Sequence, residues 1–208
     1  YPTIVPSYEN NKEILRKIVN DLKAAKDLLA KCDTIKENKH WMSTENRMLA
    51  VNSGTSGELA KDVFFAYRGY RMNYYAVTAM LARVYCWAGE YGNAYKEAKE
   101  VVDATYSTGS TSTASCFNFS NSLTTNRKDY NSIIMTFFKS TCYEDYLPYM
   151  TKGNDVVLVV NTTNLFGDEA GADDRNLDLF GDWDGGDIKY TFKYDIKEGT
   201  SGTDMIPA

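Results

Sequence analysis

The side chains that could do chemistry in this chain are few and scattered. Only one histidine is present, His40, in a polar segment beside Trp41. Nucleophilic catalysis needs an activated serine or cysteine held against a base, so a lone histidine in such a setting reads as exposed or hydrogen-bonded, not as a catalytic base. Glycoside hydrolysis could run on carboxylates alone, but two of them must face each other roughly 5 to 10 Å apart across a sugar cleft. No spacing in the sequence specifies that pairing, and the chain is not expected to be an enzyme. Asp182, Asp184 and Asp187, in the stretch Gly181-Asp182-Trp183-Asp184-Gly185-Gly186-Asp187, offer hard oxygen ligands in a glycine-rich loop of the kind calcium takes. The bidentate glutamate that closes an EF-hand is not at its spacing. The stretch therefore reads as a solvated turn and no cofactor is expected, with calcium as the alternative.

Aromatic faces are the other resource. The chain has 16 Tyr and 3 Trp, and such rings pair a flat apolar face with a polar tip, which suits contact with the C–H side of a sugar as well as ordinary packing. The ligand-facing candidates are those in irregular segments. Trp183 leads, because its acidic and glycine neighbours make burial of the segment costly. Trp41, with Asn38 and Asn46 nearby, comes next, followed by Tyr143, Tyr146 and Tyr149 with Glu144 and Asp145. Tyr85 and Trp87 belong to a helical pattern and read as core.

Those residues need elements to hold them. A chain of 208 residues with 43% hydrophobic content suits one folded domain, or two small ones sharing a core. Its net charge of −5, without basic runs, argues against nucleic acid as a partner. No apolar stretch approaches the roughly 20 residues that span a bilayer. Cys32, Cys86, Cys116 and Cys142 are widely spaced without a CxxC pair, which supports neither a zinc site nor a redox motif; they read as free buried thiols, with one or two disulfides as the alternative. The opening Tyr1 and the closing Met205-Ile206-Pro207-Ala208 suggest an excerpt from a longer chain.

Asn10 and Glu13 form a capping-box pattern ahead of Ile14, Leu15, Ile18, Val19, Leu22, Ala25, Leu28 and Leu29, which predicts an amphipathic helix over 11–32. Residues 36–57 lose periodicity and read as a loop or irregular crossover. Asn73 caps a second predicted helix over 74–88, with Gly89 just beyond its end. A third follows the Gly89-Glu90 turn, with Ala94, Tyr95, Ala98, Val101 and Val102 predicted to line its buried face. After Tyr106 a Ser/Thr/Gly stretch runs to Ser115. The apolar runs Ile133–Phe138 and Val156–Val160 read as short strands or extended segments, with a helix as the alternative for Ile133–Phe138, and the alternation over 188–194 predicts a half-buried strand.

The hairpin carries tetratricopeptide spacing: Leu81, Ala82 and Tyr85 on its first helix, Gly89 and Tyr91 at the turn, Ala94 and Ala98 on its second. Its wording from Asn73 to Val102, NYYAVTAMLARVYCWAGEYGNAYKEAKEVV, resembles the ALLARVYLYAGDYxKAxxxAxxVI segment of the SusD/RagB family of nutrient-binding lipoproteins. Three further matches follow in order. The Ile18–Leu29 helix resembles the family's DLxxAxxxL helix, Asp173-Asp174-Arg175 its D-x-R segment, and Ile206-Pro207 the start of its next stretch.

The resemblance implies a mainly α fold with tetratricopeptide-like helix hairpins, long irregular loops and a small β element. The helical part would span 11–105 and the loop-rich part 106–208, within a single SusD-like region over 1–208 that continues on both sides. It also implies a lipoprotein on the outer face of the outer membrane of Bacteroidetes-type bacteria, anchored by a lipid on a cysteine outside these residues. Such a protein binds oligosaccharides without cleaving them and hands them to a SusC-like TonB-dependent transporter. The rival reading is a tetratricopeptide-type protein-interaction scaffold without sugar binding.

Overall fold

A computed structural model describes residues 10–48, 67–108, 111–119, 123, 129, 131–137, 141–150, 154, 156–182 and 188–191. The described residues are mainly helical, with small antiparallel sheet elements. The chain divides into two compact units, Tyr1–Phe117 and Asn118–Ala208.

In the first unit, α1 spans Asn11–Asp33, and its cap forms as the sequence predicts: the Glu13 amide donates to Asn10 Oδ1 at 2.9 Å. The segment after α1 is more ordered than the expected loop. A 3-10 turn, Lys39–Met42, leads into the short α2, Thr44–Met48. Ser43 begins α2 by accepting the Arg47 amide on its carbonyl at 2.8 Å and the Asn46 amide on its hydroxyl at 3.3 Å. Helix α3, Tyr74–Trp87, opens with Asn73 Oδ1 accepting the Ala76 amide at 3.0 Å. It stops where Gly89 takes a left-handed φ of 74°, a conformation that strains any residue with a Cβ. The Glu90 amide then reaches back to the Tyr85 carbonyl at 2.9 Å, and α4, Tyr91–Val102, begins at once.

Helix α3 packs between α1 and α4. Leu81, Tyr85 and Ala94 form the core, with Val19 and Leu22 of α1 laid against it. Each large apolar side chain removed from water there contributes roughly 1.5–3 kcal/mol, and the small Ala94 lets the helices approach. The predicted buried face of α4 is only partly correct. Ala94 and Val101 are buried, while Tyr95, Ala98 and Val102 are exposed. Glu97 is half-buried instead, because α4 turns its acidic side toward Lys26 of α1, whose ammonium lies 2.6 Å from both Glu97 and Glu100 carboxylates.

Two buried arginines hold the remainder of this unit. Arg68 makes a two-pronged bond to Asp33, Nε to Oδ1 at 3.0 Å and Nη2 to Oδ2 at 2.7 Å. The same Asp33 Oδ2 accepts the Tyr74 amide at 2.8 Å, which ties the end of α1 to the start of α3. Arg47 donates to the carbonyls of Met42 and Cys116 and lies 4.6 Å from the centre of the Phe117 ring. Burial lowers its pKa to about 10, so it stays charged at neutral pH. Gly69 has no room for a methyl group: a Cβ there would come 2.5 Å from Met48 Sδ and 2.9 Å from the Arg47 carbonyl oxygen. The Ser/Thr/Gly stretch folds as an antiparallel hairpin, β1 Thr105–Ser107 with β2 Thr113–Ser115, pairing Tyr106 with Ala114.

The second unit contains α5 (Cys142–Met150), β3 (Val159–Asn161), α6 (Thr162–Phe166), α7 (Asp174–Leu179), β4 (Phe180–Asp182) and β5 (Ile188–Thr191). Its antiparallel sheet has the order β3-β5-β4, pairing Val159 with Tyr190 and Gly181 with Tyr190 on either side. The alternation expected over 188–194 is thus a central strand for its first four residues, and residues 192–194 lie outside the described ones. The run 156–160 is a strand only at its end. Residues 133–137 are irregular, and Phe138 lies outside the described residues. The Asp173-Asp174-Arg175 segment is a helix start: Asp173 Oδ1 accepts the Arg175 amide at 2.8 Å and the Arg175 guanidinium returns to the same carboxylate. That hydrogen bond holds the Asp173 pKa down to about 2.

Candidate functional site

Each candidate residue falls in one of the two units. Tyr143, Tyr146 and Tyr149 sit in a helix, α5, where the sequence reads as irregular. Pro148 lies inside it, and the carbonyls near its end are satisfied from outside: Asn154 Nδ2 donates to the Pro148 carbonyl at 2.7 Å and the Leu158 amide to that of Tyr149 at 2.8 Å. Tyr146 and Tyr149 are 37% and 44% exposed. Three residues apart on a helix, they are neighbours on its surface. Asp145, four residues before Tyr149 and on its side of the helix, is exposed and accepts a hydrogen bond from the Thr141 hydroxyl at 3.0 Å, whereas Glu144 is exposed on another side. The Tyr143 side chain lies outside the described residues.

Trp41 lies in the 3-10 turn of the first unit, half-buried, its ring 4.3 Å from that of His40. Its two neighbouring amides are already engaged. Asn38 Nδ2 donates to the Cys32 carbonyl at 2.8 Å, and Asn46 Nδ2 to the His40 carbonyl at 3.0 Å. They fasten the turn, and those donors are not turned to a ligand. Trp183, Asp184 and Asp187 lie outside the described residues. Asp182 is exposed on β4 with Lys189 Nζ 4.0 Å away. Among the described residues no group of three or more His, Cys, Asp or Glu side chains converges as a metal site.

Of the cysteines, Cys116 is buried, Cys32 half-buried and Cys86 exposed, none of the three in a disulfide, so the expectation of buried thiols fails at Cys86; the Cys142 side chain lies outside the described residues. Burial pushes the Cys116 thiol up to about 11, which leaves it protonated and a poor nucleophile at neutral pH. Tyr85 is buried as expected. Trp87 corrects the sequence reading: it is 78% exposed, on the last turn of α3, where the helix has passed beyond the elements that cover its middle. With Tyr91 at 72% and Tyr95 at 68%, it belongs to an exposed aromatic surface at the turn end of the hairpin.

Sequence reasoning missed one further feature. The first half of α1, the end of α3 and the start of α4 enclose an open groove of about 420 Å³. Its signal was present in the sequence as Lys12, Arg16 and Lys23, whose spacings of four and seven return to one helical face.

Among the described residues no helix is long and apolar enough to cross a membrane. Compared with models of protein families, with curated proteins and with solved structures, the chain matches none.

Proposed function

We propose that this chain captures oligosaccharides without cleaving them, as a SusD-like module of the bacterial cell surface built on a tetratricopeptide-like hairpin. The observation that carries the reading is the pair of exposed tyrosines on α5, Tyr146 and Tyr149, with an acidic side chain beside them. Aromatic faces take the apolar side of a sugar ring and carboxylates take its hydroxyls, while the helix fixes the spacing between rings. The resemblance of residues 73–102 supplies the wider setting: an outer-membrane lipoprotein that passes its ligand to a TonB-dependent transporter.

Calorimetric titration of the protein with a panel of plant, host and microbial oligosaccharides tests this. Saturable heat without release of smaller sugars is expected, and Tyr146→Ala or Tyr149→Ala weakens it about three- to tenfold, as loss of one aromatic contact does. Cleavage of a glycosidic bond by the pure protein, or heat unchanged by both substitutions, overturns it.

A second reading has its own support. Trp87, Tyr91, Tyr95 and Val102 are all exposed on the hairpin, and large exposed apolar side chains mark partner surfaces. On that reading the hairpin is a protein-interaction scaffold, and titration with every sugar gives no heat. The two combine if the hairpin faces the transporter and α5 faces sugar.

A further inference from the structure

The groove between α1, α3 and α4 has a composition at odds with the rest of the molecule. Within a chain of net charge −5, its lining holds three cations, Lys12, Arg16 and Lys23, against one carboxylate, Glu90. The cations stand along one face of α1. The Glu90 carboxylate is already engaged, accepting from Asn93 Nδ2 at 2.6 Å. Arg16 Nη2 lies 3.9 Å from Glu13 Oε1 on the same helix. The Lys23 ammonium is 5.8 Å from the centre of the Tyr85 ring. Both residues line the groove. Leu15, Val19 and Ala88 give the lining an apolar share, and Asn20 and Asn93 add amides.

We infer that this groove is a binding site for a short carboxylated saccharide, its acid group held by Lys12 and Arg16 and its ring lying on the apolar lining. The choice of a saccharide rests on the glycan-capture reading above; the demand for an anion rests on the cations alone. A volume of about 420 Å³ lies near the lower end of the roughly 300–1,000 Å³ that small-ligand pockets span, enough for a few rings and too little for a folded partner. The amides of Asn20 and Asn93 suit hydroxyls. A peptide that adds to a sheet needs an open strand edge, which this groove of helices and one turn does not offer; an acidic peptide held by the cations alone is the competitor that triglutamate represents.

The test titrates the protein with three probes of equal length: trigalacturonic acid, its uncharged methyl ester, and triglutamate. Trigalacturonic acid is expected to bind about tenfold more tightly than the ester, the sum of two or three partly exposed charge contacts, and to lose that advantage in high salt. The double substitution Lys12→Gln/Arg16→Gln brings the ratio of acid to ester affinity to about one. Both side chains are exposed, so the fold is kept, which an unchanged melting temperature checks.

Equal binding of acid and ester, or a preference that survives the double substitution, overturns the site. Tighter binding of triglutamate than of the sugar acid overturns the saccharide assignment. If neutral sugars of the wider panel bind while trigalacturonic acid does not, the groove fails and glycan capture stands. If no sugar binds, both fall.

Discussion

Asp33 is the residue on which most of the first unit's order converges. It neutralises Arg68, accepts the first amide of α3 and ends α1, all without contact with water. A buried pair contributes little net stability beyond a matched apolar pair, yet breaking one half strands the other charge. Asp33→Ala is therefore expected to cost about 3–5 kcal/mol. The double substitution Asp33→Leu/Arg68→Met should cost less than the single one and leave the Tyr74 amide unpaired, about 1–3 kcal/mol. Urea denaturation of both variants checks this, and a double variant less stable than Asp33→Ala would contradict it. None of this is legible in the sequence. Arg68 and Arg47 carry no local mark of burial, since what buries them are carbonyls and a carboxylate from distant positions. Asn10, Asn73 and Gly89 were legible, because capping is a local event decided within one turn of chain.

At the scale of elements, the helices of the first unit are joined by charge as well as by apolar contact. Lys26 of α1 bridges Glu97 and Glu100 of α4, and Glu100 also accepts from the Tyr74 hydroxyl of α3. Partial burial works against the charge on Glu100, but its bonds from Lys26 and Tyr74 prevail and hold its pKa below the ordinary value. A carboxylate lowered in the folded state stabilises it above the unfolded pKa, about 4.3, and loses that contribution as pH falls through the folded value. Tyr74 behaves in the opposite sense at the other end of the scale. Burial first, then Glu100, pushes its phenol up to about 12, so its contribution is full below about 10 and is lost as pH rises from there through about 12. Melting temperature is expected to fall on both sides, below about pH 4 and above about pH 10. Glu100→Gln flattens the acid limb in part, since Asp173 in the other unit contributes to the same limb. An acid limb identical in the variant would show that the bridge does not matter.

The same network explains why the sequence misplaces the buried face of α4. Hydropathy alone assigns Tyr95, Ala98 and Val102 to the inside, whereas pairing with Lys26 turns Glu97 inward. Helix α5 was missed for a related reason: the spaced tyrosines Tyr143, Tyr146 and Tyr149 read as an irregular segment, and the helix closes its far end with Asn154 and Leu158, contacts the local pattern does not announce.

Over the whole molecule, the two compact units have different anchoring. The first unit rests on long helices with an apolar seam and a buried ion pair; the second has short strands and short helices, with few buried side chains among its described residues. Local unfolding free energies follow buried contacts, so amide exchange should be slowest in α3 and faster through α5–α7. The candidate sites divide the same way, with the cationic groove on the firm unit and the paired tyrosines on the other. The exposed Trp87 has an optical consequence. An indole open to water emits at the red end of its range and is open to collision with iodide, whereas one covered by a bound partner does neither. The hairpin thus carries an unlabelled signal of its own occupancy: a blue shift and loss of iodide quenching on adding a transporter or any other protein would report docking at that turn, and a Trp87→Phe variant, equally apolar but spectrally silent, would assign the change to it.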